Sequence, residues 1–171
     1  MITDHVCERG SGRCGGGRCG RCTSLHAGRR TRRTRCAQQN AECSKNLTGA
    51  LTQLPDLNTL LECRNQPGAG NRWQMVDDPY PNSDRWLTYG PKLTLHGEGQ
   101  RNREINSGDW TGYPLDSGSR CDATQLVVVP AGNVGEPQVS KGELGQPLRL
   151  QVMPLLFTIE LNGYCLWEKV D

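Results

Sequence analysis

The hydrophobic and polar positions of this chain fall into regimes that change twice, first between Cys36 and Leu47 and again after Cys63. Leu47, Leu51, Leu54, Leu57 and Leu61 recur at steps of four, three, three and four, the repeat of one helical face. Pro55-Asp56 interrupts that stripe, because Pro lacks a backbone donor and clashes with the preceding turn. Two short helical pieces are therefore expected, with Asp56 capping the second.

Beyond Cys63 the grammar becomes that of strands and turns. Arg72–Val76, Arg85–Tyr89, Lys92–His96, Gln125–Val129, Leu148–Met153 and Leu155–Leu161 read as strands bounded by Gly, Pro, Asn and Asp. The clearest element is Phe157–Leu161, Asn162-Gly163 and Tyr164–Glu168. Asn-Gly accepts the positive φ angles of a type I′ turn, so a hairpin is expected there. Across that turn Phe157, Ile159, Leu161, Tyr164 and Leu166 would form one face, and Thr158, Glu160, Cys165 and Trp167 the other. Many short strands without long intervening helices predict a mainly β fold: a small β-sandwich or partly open barrel with a short helical segment at its start.

Composition changes how the front is read. Residues 1–42 hold nine Arg and no Lys, five of the nine Cys, and only Ile2, Val6 and Leu25 as large aliphatics. Every Trp and Tyr, and the single Phe, lie between Trp73 and Trp167. The front cannot build a core and is expected to be a disordered Arg/Gly/Cys-rich segment, 1–42, ahead of a single disulfide-stabilised β-rich domain, 43–171. That length buries about two-thirds of the unfolded chain's surface. Nine Arg against Asp4, Glu8 and Glu42 give the front +6, which with an overall +2 leaves −4 for the body. The basic pI therefore does not argue for a nucleic-acid-binding body, and nucleic acid is disfavoured as its partner.

The front offers residues for three chemistries. Cys14, Cys19 and Cys22 have the C-x4-C-x2-C spacing of plant-type iron–sulfur loops, with Cys36 or Cys43 available as a fourth ligand. Cys19, Cys22, Cys36 and His26 would alternatively make a zinc set. Arg29, Arg30, Arg32, Arg33 and Arg35 would suit a phosphate-binding arm, although no aromatic is interleaved for base stacking. No apolar strands flank the thiols to hold a cluster, so no cofactor is expected. Arg, Gly and Cys without aromatics or Lys is also what GC-rich coding DNA yields out of frame. A displaced start and a bacterial source follow as expectations, and the absent signal peptide would lie in the other frame. The sequon Asn46-Leu47-Thr48 would then be a chance match. No apolar run approaches the ~20 residues of a membrane span.

In the body, Cys43, Cys63, Cys121 and Cys165 are dispersed and even in number, which predicts two disulfides in a secreted or cell-envelope domain. Three connectivities are open. Among them, Cys43–Cys63 would staple the helical segment, and Cys121–Cys165 would tie the central loop to the terminal hairpin.

Candidate chemistry concentrates in two aromatic-acidic stretches, Asp77–Trp86 and Gly108–Asp116. Rings on rigid loops can stack against sugars or anchor a protein partner at small entropic cost, and nearby carboxylates could bind calcium through their oxygens, although no EF-hand pattern is present. Tyr80, Trp110 and Tyr113, with Asp77 and Asp109, are the expected ligand contacts, while Trp86 reads as an inward-facing strand residue. His96 is the body's only histidine, Ser107, Ser117, Asp109 and Asp116 belong to no nucleophile-elbow motif, and Gly97-Glu98-Gly99 lacks a dinucleotide fingerprint. The leading expectation is a noncatalytic exported β-domain of the bacterial cell envelope that binds a protein or glycan. The alternatives are a small secreted hydrolase using His96, and an intracellular nucleic-acid- or metal-binding protein acting through the front segment.

Overall fold

A computed structural model describes residues 37–54, 59–89 and 92–170. The strands among them are β1 (Leu51–Gln53), β2 (Leu60–Gln66), β3 (Gly70–Met75), β4 (Arg85–Thr88), β5 (Leu93–His96) and β6 (Gly108–Pro114), then β7 (Asp122–Val129), β8 (Asn133–Val134), β9 (Gln138–Lys141), β10 (Leu148–Val152), β11 (Leu156–Asn162) and β12 (Cys165–Lys169). They form two sheets, the larger ordered β10-β6-β12-β4-β1-β2-β3 and the smaller β5-β11-β7-β8, with β9 also pairing β7. The expected mainly β sandwich is the observed architecture. The metal and Arg-arm candidates of the front, from Cys14 to Cys36, lie outside the described residues.

Between the sheets sits a core of Trp86, Trp110, Val152, Cys165 and Trp167 from the larger sheet against Leu93, Leu95, Ala123, Ile159 and Leu161 from the smaller. Trp167 lies across residue 112: a Cβ on Gly112 would stand 2.8 Å from its ring. Its Nε1–H donates to Thr88 Oγ1 at 3.2 Å, and that hydroxyl donates to the Cys165 carbonyl at 3.2 Å. A second cluster covers the other face of the larger sheet, where Ala37, Leu47 and Ala50 pack on Leu61, Cys63, Trp73, Leu87 and Leu166. Residues 37–50 therefore form a third, partial layer. Arg85 clasps it, donating to the carbonyls of Asn46 and Thr48 while its guanidinium pairs with Glu168 at 2.5 Å.

Two expectations fail, the helical leucine stripe and the terminal hairpin. The short helical segment is one 3-10 turn, Lys45–Leu47, and the leucine stripe is not a helix. Leu51 lies on β1 facing the inner core, whereas Leu61 lies on β2 facing the outer cluster. Helical spacing arose from a turn and two strands that feed two different cores. Leu57 and the Pro55-Asp56 break lie outside the described residues.

The terminal hairpin does not form. β11 pairs with β5 and β7 in the smaller sheet, while β12 pairs with β4 and β6 in the larger. Asn162-Gly163 is instead a corner between the sheets. Gly163 does adopt positive φ (94°), as read from sequence, but a Cβ there would also collide with the Arg120 carbonyl. The physical reason is burial: Cys165 and Trp167 fill one core and Leu166 the other, so β12 needs neighbours on both edges and cover on both faces. A two-stranded hairpin supplies neither.

The compact unit that holds both sheets runs from Ala37 to Asp171. Ala37 N–H donates to Tyr89 Oη at 2.9 Å, and Asn40 and Ala41 exchange backbone bonds with Trp73. Residues 37–42 thus extend the edge beside β3.

Both expected disulfides form, as Cys43–Cys63 and Cys121–Cys165. The first pins the partial layer to β2 and the second joins the two sheets beside the corner. Their sequence separations of 20 and 44 residues correspond to about 3 and about 4 kcal/mol of unfolded-state restriction, respectively. In urea titrations, Cys121→Ala/Cys165→Ala is expected to lose more stability than Cys43→Ala/Cys63→Ala. The reverse order would contradict the intersheet bridge as the stronger constraint.

Candidate functional site

Two connections meet at one end of the sandwich: residues 77–84, between β3 and β4, and residues 97–107, between β5 and β6. The first is stiffened locally. Pro79 and Pro81 fix φ on either side of Tyr80, and the Asp78 side chain accepts the Tyr80 N–H at 2.9 Å in an Asx turn. Pro81 is buried while Tyr80 stays 43% exposed, so the ring is held out from an anchored base.

Side-chain amides then lock the two connections together. Asn82 and Asn106 exchange amide bonds at 2.9 and 3.2 Å, and Asn106 also donates to Asp84 at 3.0 Å. Ser83 N–H donates to the Glu104 carbonyl at 3.0 Å. In the second connection, Glu98 accepts from both the backbone and hydroxyl of Ser107. Gly99 has no room for a side chain: a Cβ would stand 2.5 Å from the Leu155 carbonyl.

At the junction Tyr80 leans on His96, their ring centroids 5.9 Å apart and tilted by 48°. His96 closes β5, the edge strand of the smaller sheet. Its backbone N–H donates to the Glu104 carboxylate at 2.9 Å, and its carbonyl accepts from the N–H groups of Glu104 and Ile105. Glu104 thus occupies the place of a neighbouring strand and protects this part of the edge. The buried His96 Nδ1 lies 3.0 Å from the same carboxylate, off the line a hydrogen bond requires, so that contact is electrostatic.

Burial pushes the Glu104 carboxyl above its ordinary value. The His96 N–H and ring oppose that shift, and the charge on nearby Asp78 adds to it.

The structure redistributes the residues singled out by sequence. Tyr80 is on the tip, and Asp77 is exposed at the foot of the same connection. Asp109 is exposed at the start of β6, at this same end, where its carbonyl accepts from Val170 N–H while Asp84 accepts from Lys169 N–H. The Gly108–Asp116 stretch is mostly strand, which changes the other two assignments. Trp110 is 2% exposed, donates its indole N–H to the Asn106 carbonyl at 2.9 Å and packs in the core, so it is no surface contact. Tyr113 is exposed, but on the outward side of β6, four residues and roughly 13 Å along the strand from Asp109.

Sequence reading missed Glu104, Asn82 and Asn106, because nothing local distinguishes a charged or amide residue that will be engaged by a distant loop. It also set Tyr80 and His96 in rival functions, whereas the fold stacks one on the other.

Of the groups considered for hydrolysis, the Ser107 hydroxyl bonds Glu98 and Asp116 caps the turn through Gly118 and Ser119. Among the described residues, no set of three His, Cys, Asp or Glu side chains is placed to hold a metal ion, and no helix is long and apolar enough to cross a membrane. Comparison with protein-family models, curated proteins and solved structures found no match to this chain.

A raised carboxyl stabilises the fold below the unfolded-state value and loses that contribution as pH climbs through the folded-state value. Wild-type urea midpoints should therefore rise on acidification from neutral pH into the weakly acidic range, and Glu104→Gln should flatten that rise. A variant with the wild-type profile would contradict the burial of an ionised Glu104.

Proposed function

We propose that this is a noncatalytic, exported binding domain of the bacterial cell envelope, and that it engages a protein or glycan partner at the end carrying residues 77–84. The observation that carries this reading is the pose of Tyr80. A large ring stands 43% exposed on a connection stiffened by two prolines, an Asx turn and a shared amide network. Ordering such a ring in advance removes much of the entropic cost of contact. Asp77, Asp84 and Asp109, all exposed at the same end, supply acceptors around it, and Tyr113 offers a separate, more distant ring. The two disulfides favour an oxidising compartment.

One observation favours the second reading, a hydrolase. His96 faces a buried carboxylate, as a general base faces the group that orients it. It ranks second because the Ser107 hydroxyl is engaged with Glu98 and no serine hydroxyl bonds His96 among the described residues.

Binding to isolated envelope glycans and envelope proteins, together with hydrolysis of generic esters and peptides, separates the two. Tyr80→Ala is expected to weaken binding roughly ten- to a hundredfold, as loss of an aromatic anchor does. Tyr113→Ala should have a smaller effect, and His96→Ala should leave no hydrolytic activity to lose. Hydrolysis abolished by His96→Ala, with Tyr80→Ala neutral, would replace this reading with the enzyme.

A further inference from the structure

The two sheets are unequal, and the inequality leaves a cleft. β2 gives only Leu60 to the intersheet core, and β3 gives none of its residues. The larger sheet therefore runs on past β5, and residues 77–84 fold over the overhang. Between them is an open cleft of about 300 Å³, at the lower end of the roughly 300–1,000 Å³ typical of small-molecule sites. Half-buried Val76 is its main apolar wall, with the buried Leu51 beneath it, and Glu62, Arg64, Asp78 and Asn82 supply polar groups.

Its chemistry is specific. Arg64 Nε donates to Glu62 Oε2 at 2.7 Å, which largely cancels that pair's charge and leaves Glu62 Oε1 and the guanidinium's terminal nitrogens unengaged among the described residues. Asp78 Oδ1 accepts the Tyr80 N–H, and its Oδ2 has no described partner. Asn82 is tied to Asn106 and shapes the wall rather than offering free donors. The cleft thus presents carboxylate acceptors, guanidinium donors and an aliphatic surface. An anion would face Glu62 and Asp78, and a cation would compete with Arg64. A neutral ring bearing hydroxyls on one side and C–H groups on the other meets every wall.

We infer that this cleft is a subsite for one neutral sugar unit, a mono- or disaccharide end, with Tyr80 beside it on the same connection. The inference rests on the binding function proposed above and narrows the partner to a glycan. Carboxylates accept from vicinal hydroxyls, the guanidinium donates to a hydroxyl or ring oxygen, and Val76 meets part of the C–H face.

The test is a nuclear magnetic resonance titration of the isotope-labelled full chain. Methyl glucoside, methyl galactoside, N-acetylglucosamine and the corresponding neutral disaccharides serve as probes, with glucuronate and glucosamine as charged comparators. Saturable shifts of the Leu51, Glu62, Arg64 and Asp78 amides with a neutral sugar are expected. Glu62→Gln and Asp78→Asn, each checked for an unchanged fold in the same spectra, should each weaken that binding about tenfold, the loss of one charge-assisted hydrogen bond.

Shifts confined to Tyr80 and His96 would overturn the cleft subsite while leaving glycan binding intact. Tighter binding of either charged comparator would overturn the neutral-ligand assignment. No saturable shift with any neutral sugar would also overturn it, and the Tyr80→Ala comparison on envelope proteins would then decide whether the broader function stands.

Discussion

β12 is buried on both faces, and that constraint organises the molecule. Cys165 and Trp167 belong to the core between the sheets, while Leu166 belongs to the cluster beneath residues 37–50. A strand with these demands must sit inside a sheet, flanked by β6 and β4, with a layer above and a layer below. Residue 112 must lack a side chain so that Trp167 can lie across it. The chain satisfies the outer face with a short segment held by the Cys43–Cys63 bridge and the Arg85 clasp, and the inner face with the smaller sheet.

The smaller sheet does not cover the whole larger one, and its margins are closed by polar side chains. On one side the buried Gln125 of β7 reaches across to edge strand β10, donating to the Gln151 carbonyl and accepting from Met153 N–H, both at 3.0 Å. On the other, Glu104 caps β5 through His96. Each group substitutes for a missing strand, satisfying backbone groups that would otherwise invite another chain. Among the described residues, no such closure spans the overhang beyond β5. Residues 77–84 arch over it, which produces both the cleft and the exposed Tyr80. The site is a consequence of mismatched sheets.

Much of the fold was legible from the chain because strand signals are local. Arg85–Tyr89, Lys92–His96 and Leu148–Met153 contain observed strands, Gln125–Val129 lies within β7, and the four body cysteines pair as two bridges. What failed was partnering. Asn162-Gly163 specifies a backbone conformation, and that conformation serves a corner as well as a hairpin. The leucines from Leu47 to Leu61 specify burial without saying in which of two cores. The same limit applies to the site: the rigidity around Tyr80 was written in Pro79 and Pro81, whereas the burial of Trp110 and Glu104 depends on contacts many residues away. A large ring beside carboxylates reads identically whether it faces solvent or core.

The proposed binding tip depends on Tyr80 being held in place before any partner arrives. Backbone relaxation of residues 77–84 measures this directly. Order parameters close to those of the strands, about 0.85, are predicted across the segment, because the Asx turn and the Asn82–Asn106 network fix it to residues 97–107. Values below about 0.6 at Tyr80 and its neighbours would show a freely moving loop and would contradict a preorganised binding tip.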